Sequence, residues 1–497
     1  MRETRPYTYL GTVRGMCRNC RSFVPCRILE ERGEVWQERL CPSCGPARAR
    51  IADSIGWYLE RMRAGVRHQP PPQPGPVRNG CPLDCGPCSL HVNRCHLPVF
   101  SVTNTCNLRC PICFTYNRRE PRYFMNREEL RTLLDEVAGR AGAVDLVNVT
   151  GGEPTLHPEI LSLLEECRRE GIGRVTMNSN GLRLATDEPF CRDLARLGVY
   201  CILSFHTLRP DRSARLHGQD LSQEKLRAIE NLERAGVGTT LLMVLVRGVN
   251  EDEAGEPVRL AKAHTNVRSI TIQTMTYTGQ GGKSFLPREH LPLDGAARAL
   301  EDATGGEVRA DHFVPHPQAH PLCYSVAYYL KTPGGLRSFT EFLTREELRN
   351  LLAGGYLLRA DECTREILRA ALDRLWASDS GSDLLPRFRG ILGRLYPDGA
   401  PLSRFDRQRI CEEEILPIYL HAHMDEDTLD LGRLVACPDQ VPDREGRLIP
   451  ACAYNLFYRM MDERFFDTLG VGAGEGLGRA GGIGCGLGGG EGLRWAS

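Results

Sequence analysis

Between residues 97 and 275 the chain alternates short apolar runs with longer stretches whose apolar residues recur every three to four positions. The runs LPVFSVT (97–103), VDLVNVT (144–150), RVTMNS (174–179), VYCILSF (199–205), TTLLMVLV (239–246) and SITIQTM (269–275) predict strands. The stretches between them predict helices near 126–141, 158–170, 188–197, 222–236 and 251–264. Strand and helix in strict alternation make a parallel α/β array, either an open doubly wound sheet or a partial barrel.

The pattern changes on both sides of this array. Residues 1–66 precede a Pro-rich stretch, QPPPQPGP (69–76), that predicts an extended spacer. Residues 290–460 are mixed, and from about 469 the chain becomes Gly-rich and too poor in apolar residues to fold. The expected organisation is a small metal-binding unit at 1–66, a linker and cysteine segment at 67–96, the array at 97–289, a mixed domain at 290–468 and a disordered tail at 469–497.

Charge narrows the partners. Lysine and arginine balance aspartate and glutamate, 63 against 63, so no basic excess points to nucleic acid. The N-terminus has no apolar signal segment, and the longest aliphatic run, LLMVLV (241–246), is far short of the roughly 20 residues that span a bilayer.

Cysteine is the anomaly, at 21 residues, 12 of them before position 114. Such clustering without a secretory signal points to metal binding or catalysis in a reducing, cytoplasmic compartment. Cys17, Cys20, Cys41 and Cys44 form two C-x2-C knuckles, which suit a zinc ribbon or a rubredoxin-like mononuclear iron. Cys81, Cys85, Cys88 and Cys95 follow within fifteen residues, tight enough for a fully ligated [4Fe–4S] cluster. Cys106, Cys110 and Cys113 come directly after the first strand of the array, where functional groups gather at strand C-termini. Three thiolates would leave one iron of a cubane open. Cys26, Cys167, Cys191, Cys201, Cys363 and Cys485 have no partner by spacing and read as packing or solvent thiols. Spacing alone also makes Cys323, Cys411, Cys437 and Cys452 buried thiols.

The set CNLRCPICF (106–114), TGGEP (150–154) and NSNG (178–181) resembles the radical S-adenosylmethionine (SAM) superfamily. The resemblance implies a partial (βα)6 barrel, a cluster held by Cys106, Cys110 and Cys113, and SAM chelating the open iron. Phe114 matches the aromatic after the last cysteine. Gly151, Gly152, Glu153 and Pro154 match the segment that binds the SAM amino group, and Ser179 and Asn180 fall where ribose or carboxylate is contacted. It further implies reductive cleavage of SAM to a 5′-deoxyadenosyl radical that abstracts hydrogen from an unactivated carbon, fed by a reducing partner such as ferredoxin or flavodoxin.

Over residues 17–460 the chain is similar to the branch holding tetraether lipid synthases and radical SAM pterin methylases. That similarity implies two auxiliary clusters, one at Cys81, Cys85, Cys88 and Cys95 and one at Cys323, Cys411, Cys437 and Cys452, beside the mononuclear site. It also implies either sp3 C–C bond formation between lipid chains, with peripheral membrane contact, or one-carbon transfer to a pterin-like substrate. Apart from that similarity, His421, His423 and Asp425 of HAHMD could sit near substrate, but an H-x-H pair is more often hydrogen-bonded structure. Rival readings are a peptide-modifying enzyme, a zinc-ribbon binding protein and an electron-transfer protein.

Overall fold

The structure is a computed structural model and describes residues 5–115, 120–358, 361–377, 384–397 and 402–465. The Gly-rich tail and Cys485 lie outside the described residues.

The first unit is a four-stranded antiparallel meander, β1 (Thr8–Met16), β2 (Phe23–Glu31), β3 (Glu34–Cys41) and β4 (Gly45–Ala52), closed by helix α1 (Ile55–Ala64). The knuckle cysteines fall at the β1–β2 and β3–β4 turns, so the two short loops meet at one end of the sheet.

The array follows as β5 (Leu97–Ser101), α2 (Arg127–Ala141), β6 (Val147–Thr150), α3 (Ile160–Glu166), β7 (Val175–Ser179), α4 (Glu188–Arg196), β8 (Tyr200–Ser204), α5 (Pro210–His217), α6 (Ser222–Ala235), β9 (Thr239–Leu245), α7 (Glu256–Ala263) and β10 (Val267–Thr274). Strands β5 to β10 pair in parallel and in chain order, with crossover helices between them. The partial (βα)6 expectation holds. Helix α2 shows why these segments are helical: Asn126 caps Glu129 N at 2.8 Å, and Leu130, Leu133, Leu134, Val137 and Ala141 form one buried stripe.

Each barrel strand sorts its residues by the period of two. Val147 and Val149, Val175 and Met177, Leu241 and Met243, and Ile270 and Ile272 face outward into the core shared with the helices. Their alternates, among them Asn148, Thr176, Thr240 and Thr271, face the interior cavity.

The sheet does not stop at six strands. β11 (Val314–Pro315), β12 (Tyr324–Thr332) and β13 (Gly335–Ser338) lead to β14 (Ile415–His421), which pairs in parallel with β10 and antiparallel with β12. On the other edge β15 (Asp439–Pro442) pairs in parallel with β5 and turns back into β16 (Leu448–Pro450). One C-terminal stretch therefore covers both edges of the barrel.

Candidate functional site

The cysteine loop runs from β5 to α2 and is held from below by the glycine segment after β6. Gly152 N donates to Thr103 O and Glu153 N to Thr105 O, both at 2.8 Å. Side chains have no room in this pairing. A Cβ at Gly151 would lie 3.0 Å from Thr103 N, at a φ of +146°, and one at Gly152 would lie 2.5 Å from the Thr105 carbonyl carbon and 3.0 Å from Cys106 N. Glu153 is buried and gathers the next strand end: its carboxylate accepts from Ser179 Oγ at 3.0 Å, Asn180 N at 2.7 Å and Thr155 Oγ1 at 2.7 Å. Burial raises its pKa, and these three donors oppose the rise. Asn180 also reaches across to Asn107 of the cysteine loop at 2.7 Å. Glycines, Glu153, Ser179 and Asn180 thus form one scaffold under the loop.

Cys106, Cys110 and Cys113 line the cavity together. Burial pushes the Cys110 thiol up to about 12, and the charges of Cys113 and Cys106 push the same way. Two buried cations answer that charge. Lys225 Nζ donates to Asn180 O at 2.6 Å and Ser204 Oγ at 3.3 Å; burial lowers its pKa to about 8, against the pull of Cys110 and Glu153. Arg459 is buried within electrostatic reach of Cys113. Three thiols facing a cavity beside two buried cations form a donor set suited to an anionic thiolate cluster with one corner left to a second ligand. Lys225 and Arg459 were not singled out from sequence. They carry no motif, and only their burial identifies them.

The cavity, about 720 Å³, fills the barrel from the thiols to the opposite strand ends. Asn148, Thr176, Asn178, Thr240, Thr271 and Gln273 project into it, and Tyr324, Tyr328 and Tyr419 form one wall. At the far end Arg174 pairs with Glu412, which also accepts from Tyr200 Oη at 2.6 Å and Gln408 Nε2 at 3.0 Å. His421 and His423 lie between the tyrosines and the cysteine loop: His421 packs on Tyr324 at 4.7 Å and on His423 at 4.2 Å, and His423 stacks on Phe114 at 5.3 Å.

The remaining cysteines divide differently from their spacing. Cys17, Cys20, Cys41 and Cys44 bring four thiols within 4.8 Å of one another, the reach of a single tetrahedral ion. Cys81 and Cys85 pack against one apolar cluster; burial raises both thiols, Cys88 adds to both, and Cys81 adds to Cys85. Cys95 instead sits in the barrel core, where burial and Asp439 raise its thiol. Cys323, Cys437 and Cys452 act on one another electrostatically. They surround Ala422–Met424: Ala422 N donates to Cys323 O at 2.9 Å and Met424 N to Cys452 Sγ at 3.3 Å.

Cys411 does not belong to that group. It lies on the helix Arg404–Glu414 before β14, while Cys323 lies beside the end of β14; the strand is seven residues, about 20 Å, long. Burial alone acts on the Cys411 thiol. The expected fourth ligand is a core thiol.

Asp425, together with His290 and Asp427, offers three close donors, but each already has partners: Asp425 accepts from His290 Nε2 and Tyr277 N, both at 2.9 Å, and arginines hold Asp427. Asp427 accepts from Arg18 at 3.0 Å and Arg288 at 3.1 Å and pairs with Arg39 at 2.8 Å. This ion-pair hub docks the N-terminal sheet onto the barrel. No described helix is long and apolar enough to cross a membrane.

Two family models match the chain, the radical SAM superfamily over residues 100–261 and the HMPTM N-terminal zinc ribbon domain over residues 9–53. The chain is similar to a 7,8-dihydro-6-hydroxymethylpterin dimethyltransferase from Methanocaldococcus jannaschii, 25% identical over 90% of this chain and 94% of the relative. It is also similar to a probable GTP 3′,8-cyclase from Thermoplasma volcanium, 26% identical over 41% of this chain, and spans 63% of that cyclase. Among solved structures, Streptococcus suis SuiB bound to S-adenosylmethionine matches at 20% identity and a TM-score of 0.37, over 43% of this chain and 48% of that one. Residues 100–261 are a radical SAM domain, and the chain is an enzyme built on it.

Proposed function

We propose that the chain is a radical SAM methylase that transfers a one-carbon unit to a reduced pterin or a closely related polar heterocycle. The observation that carries this reading is the lining of the cavity. Hydrogen-bonding side chains project from successive barrel strands, and a tyrosine wall offers a stacking face for a flat ring. Thr176 and Thr240 already bond within the wall, but an alkyl chain threaded through the same space would strand groups such as the unpartnered Asn178 Oδ1, at about 1–3 kcal/mol for each one left unpaired. That cost weighs against the tetraether-type reading. The relative matched along nearly the whole chain is named for a pterin substrate, which supports the same choice.

In this reading Cys106, Cys110 and Cys113 hold a [4Fe–4S] cluster, and Gly151–Pro154, Ser179 and Asn180 shape the place where SAM sits against it. Cys323, Cys437 and Cys452 hold an auxiliary cluster, and Cys17, Cys20, Cys41 and Cys44 a structural zinc or iron. The bound cluster and SAM would supply one-electron cleavage and a hydrogen-abstracting radical. The chain's own residues do the rest. Glu153 fixes the SAM-side loop through three donors, Lys225 and Arg459 offset the thiolate charge, and the barrel walls keep water from the reacting carbon. A low-potential one-electron carrier would be the reducing partner.

The test is anaerobic incubation with SAM and dithionite, with either a 7,8-dihydropterin or a diether lipid. The expected result is a methylated pterin and pterin-dependent 5′-deoxyadenosine. SAM cleavage stimulated by the lipid and not by the pterin would refute the reading.

A further inference from the structure

Cys106, Cys110 and Cys113, which line the cavity, and the separate group at Cys323, Cys437 and Cys452 are joined by one pair of side chains. Phe114 is the residue directly after Cys113, and its ring stacks on His423 with centroids 5.3 Å apart and planes 14° from parallel. On its other side His423 Nδ1 lies 3.7 Å from Cys452 Sγ, within hydrogen-bonding range for sulfur. The path from Cys113 to Cys452 therefore consists of one covalent neighbour, one stack and one hydrogen bond. His421 backs the His423 ring at 4.2 Å.

The far group carries its own mark of a negative centre. Arg433 is 5% exposed and makes no ion pair within 4.0 Å with a carboxylate among the described residues. Its donors go to Cys323 Sγ at 3.2 Å, Leu322 O at 3.1 Å and Ala422 O at 3.4 Å. Asp430 offsets part of this buried charge from beyond ion-pair distance, and an anionic thiolate centre at Cys323 would offset it at contact. The three thiols also do not close to the 4.8 Å spacing of the N-terminal group, as expected if they sit on separate corners of a cluster.

We propose that His423 is the coupling residue between the two centres: it donates Nδ1–H to the Cys452 sulfur and links that sulfur through Phe114 to Cys113. This rests on the reading of Cys323, Cys437 and Cys452 as an auxiliary cluster site. A hydrogen bond to a ligating sulfur stabilises the reduced, more negative state and so raises the reduction potential. The clusters that Cys452 and Cys113 would help to hold would supply the one-electron chemistry, the electron coming from the external low-potential carrier and no bond being made or broken along this path. His423 is a positioning residue here.

The experiment uses the full chain, reconstituted anaerobically with iron and sulfide and titrated with dithionite under EPR. His423→Phe keeps a ring on Phe114 and removes the donor. Its iron content is expected to match wild type, with the auxiliary midpoint moved to more negative potential and the other midpoint unchanged. His423→Gln, which restores a donor, is expected to recover part of the shift. Phe114→Leu is expected to leave both midpoints in place and slow electron exchange between the two signals after flash reduction. An unchanged auxiliary midpoint in His423→Phe overturns the proposal, as does loss of the auxiliary iron, which would make His423 a ligand. The parent reading is tested apart, by the combined Cys323→Ser, Cys437→Ser and Cys452→Ser variant. If that variant keeps all its iron, there is no auxiliary centre and the inference falls with it.

Discussion

Alanine at Gly152 would put one methyl group where the cysteine loop presses on the glycine segment. The new Cβ would stand 2.5 Å from the Thr105 carbonyl carbon and 3.0 Å from Cys106 N. Carbon atoms rest comfortably at about 3.5–4.0 Å, so the backbone leading into Cys106 must retreat by about 1 Å. A displacement of that size at a reacting centre costs about 10²-fold in rate. The assay is 5′-deoxyadenosine formation per iron-loaded chain, read beside thermal unfolding. Gly198→Ala is the control, because Gly198 has a φ of +64° and nothing within 4 Å of its would-be Cβ. That variant carries backbone strain of roughly 1–2 kcal/mol and leaves the loop untouched. Both variants are expected to lose stability, Gly152→Ala by about 1–3 kcal/mol, but only Gly152→Ala is expected to lose turnover. Wild-type turnover in an iron-replete Gly152→Ala protein would refute the reasoning.

Three further outcomes are expected. Cys110→Ala should abolish 5′-deoxyadenosine formation and lower iron content by one cluster, whereas Cys411→Ser should change neither; metal analysis with sulfide determination checks both. Glu153→Gln weakens the acceptor for Ser179 Oγ and Asn180 N and should cost about 1–3 kcal/mol, seen in denaturant titration, together with a raised KM for SAM. The His290–Asp425 pair, 2.9 Å apart, should give the stability of the folded chain a bell-shaped pH dependence. Burial works to lower the His290 pKa, but the Asp425 carboxylate outweighs it and raises it, so this contribution is present below the unfolded value and lost as pH rises through the folded one. Burial likewise works to raise the Asp425 pKa, and His290 with backbone donors lowers it, so that contribution is present above the unfolded value and lost as pH falls. The pair is worth most between roughly pH 4 and 6.5, and His290→Gln should flatten the alkaline limb in Tm measured against pH.

The barrel is legible because each strand is a short apolar run and each long helix an amphipathic repeat; predicted and observed bounds differ by a few residues. Helix α5 escaped because PDRSARLH is eight residues long and polar on most of its surface. Strand β14 escaped for a different reason: Pro417 interrupts ILPIYLH, and proline argues against a central strand, yet it pairs opposite Tyr328 in the middle of the sheet. With β14 unseen, the distance along it that separates Cys411 from Cys323 was unseen too. Spacing reports which cysteines share a loop. It cannot report which distant loops the fold brings together, and so Cys95 read as a partner of Cys88 while the chain carries it into the barrel core. The hydrogen-bonding side chains inside the cavity were written in the alternates of the strands, but alternation alone does not say which face is enclosed.

Because β14 and β15 come from one late stretch, the barrel spends part of its birth with both flanks open. On a ribosome adding about 5–20 residues per second, β10 is finished at residue 274 and waits roughly 7–28 s for residue 415. During that interval β5 and β10 present unpaired backbone to any neighbouring chain. A chain cut before residue 415 would keep them that way permanently, and it is expected to aggregate rather than yield a smaller working barrel. The C-terminal stretch is thus the seam that converts six paired strands into a soluble object, and its timing belongs to the fold as much as its position does.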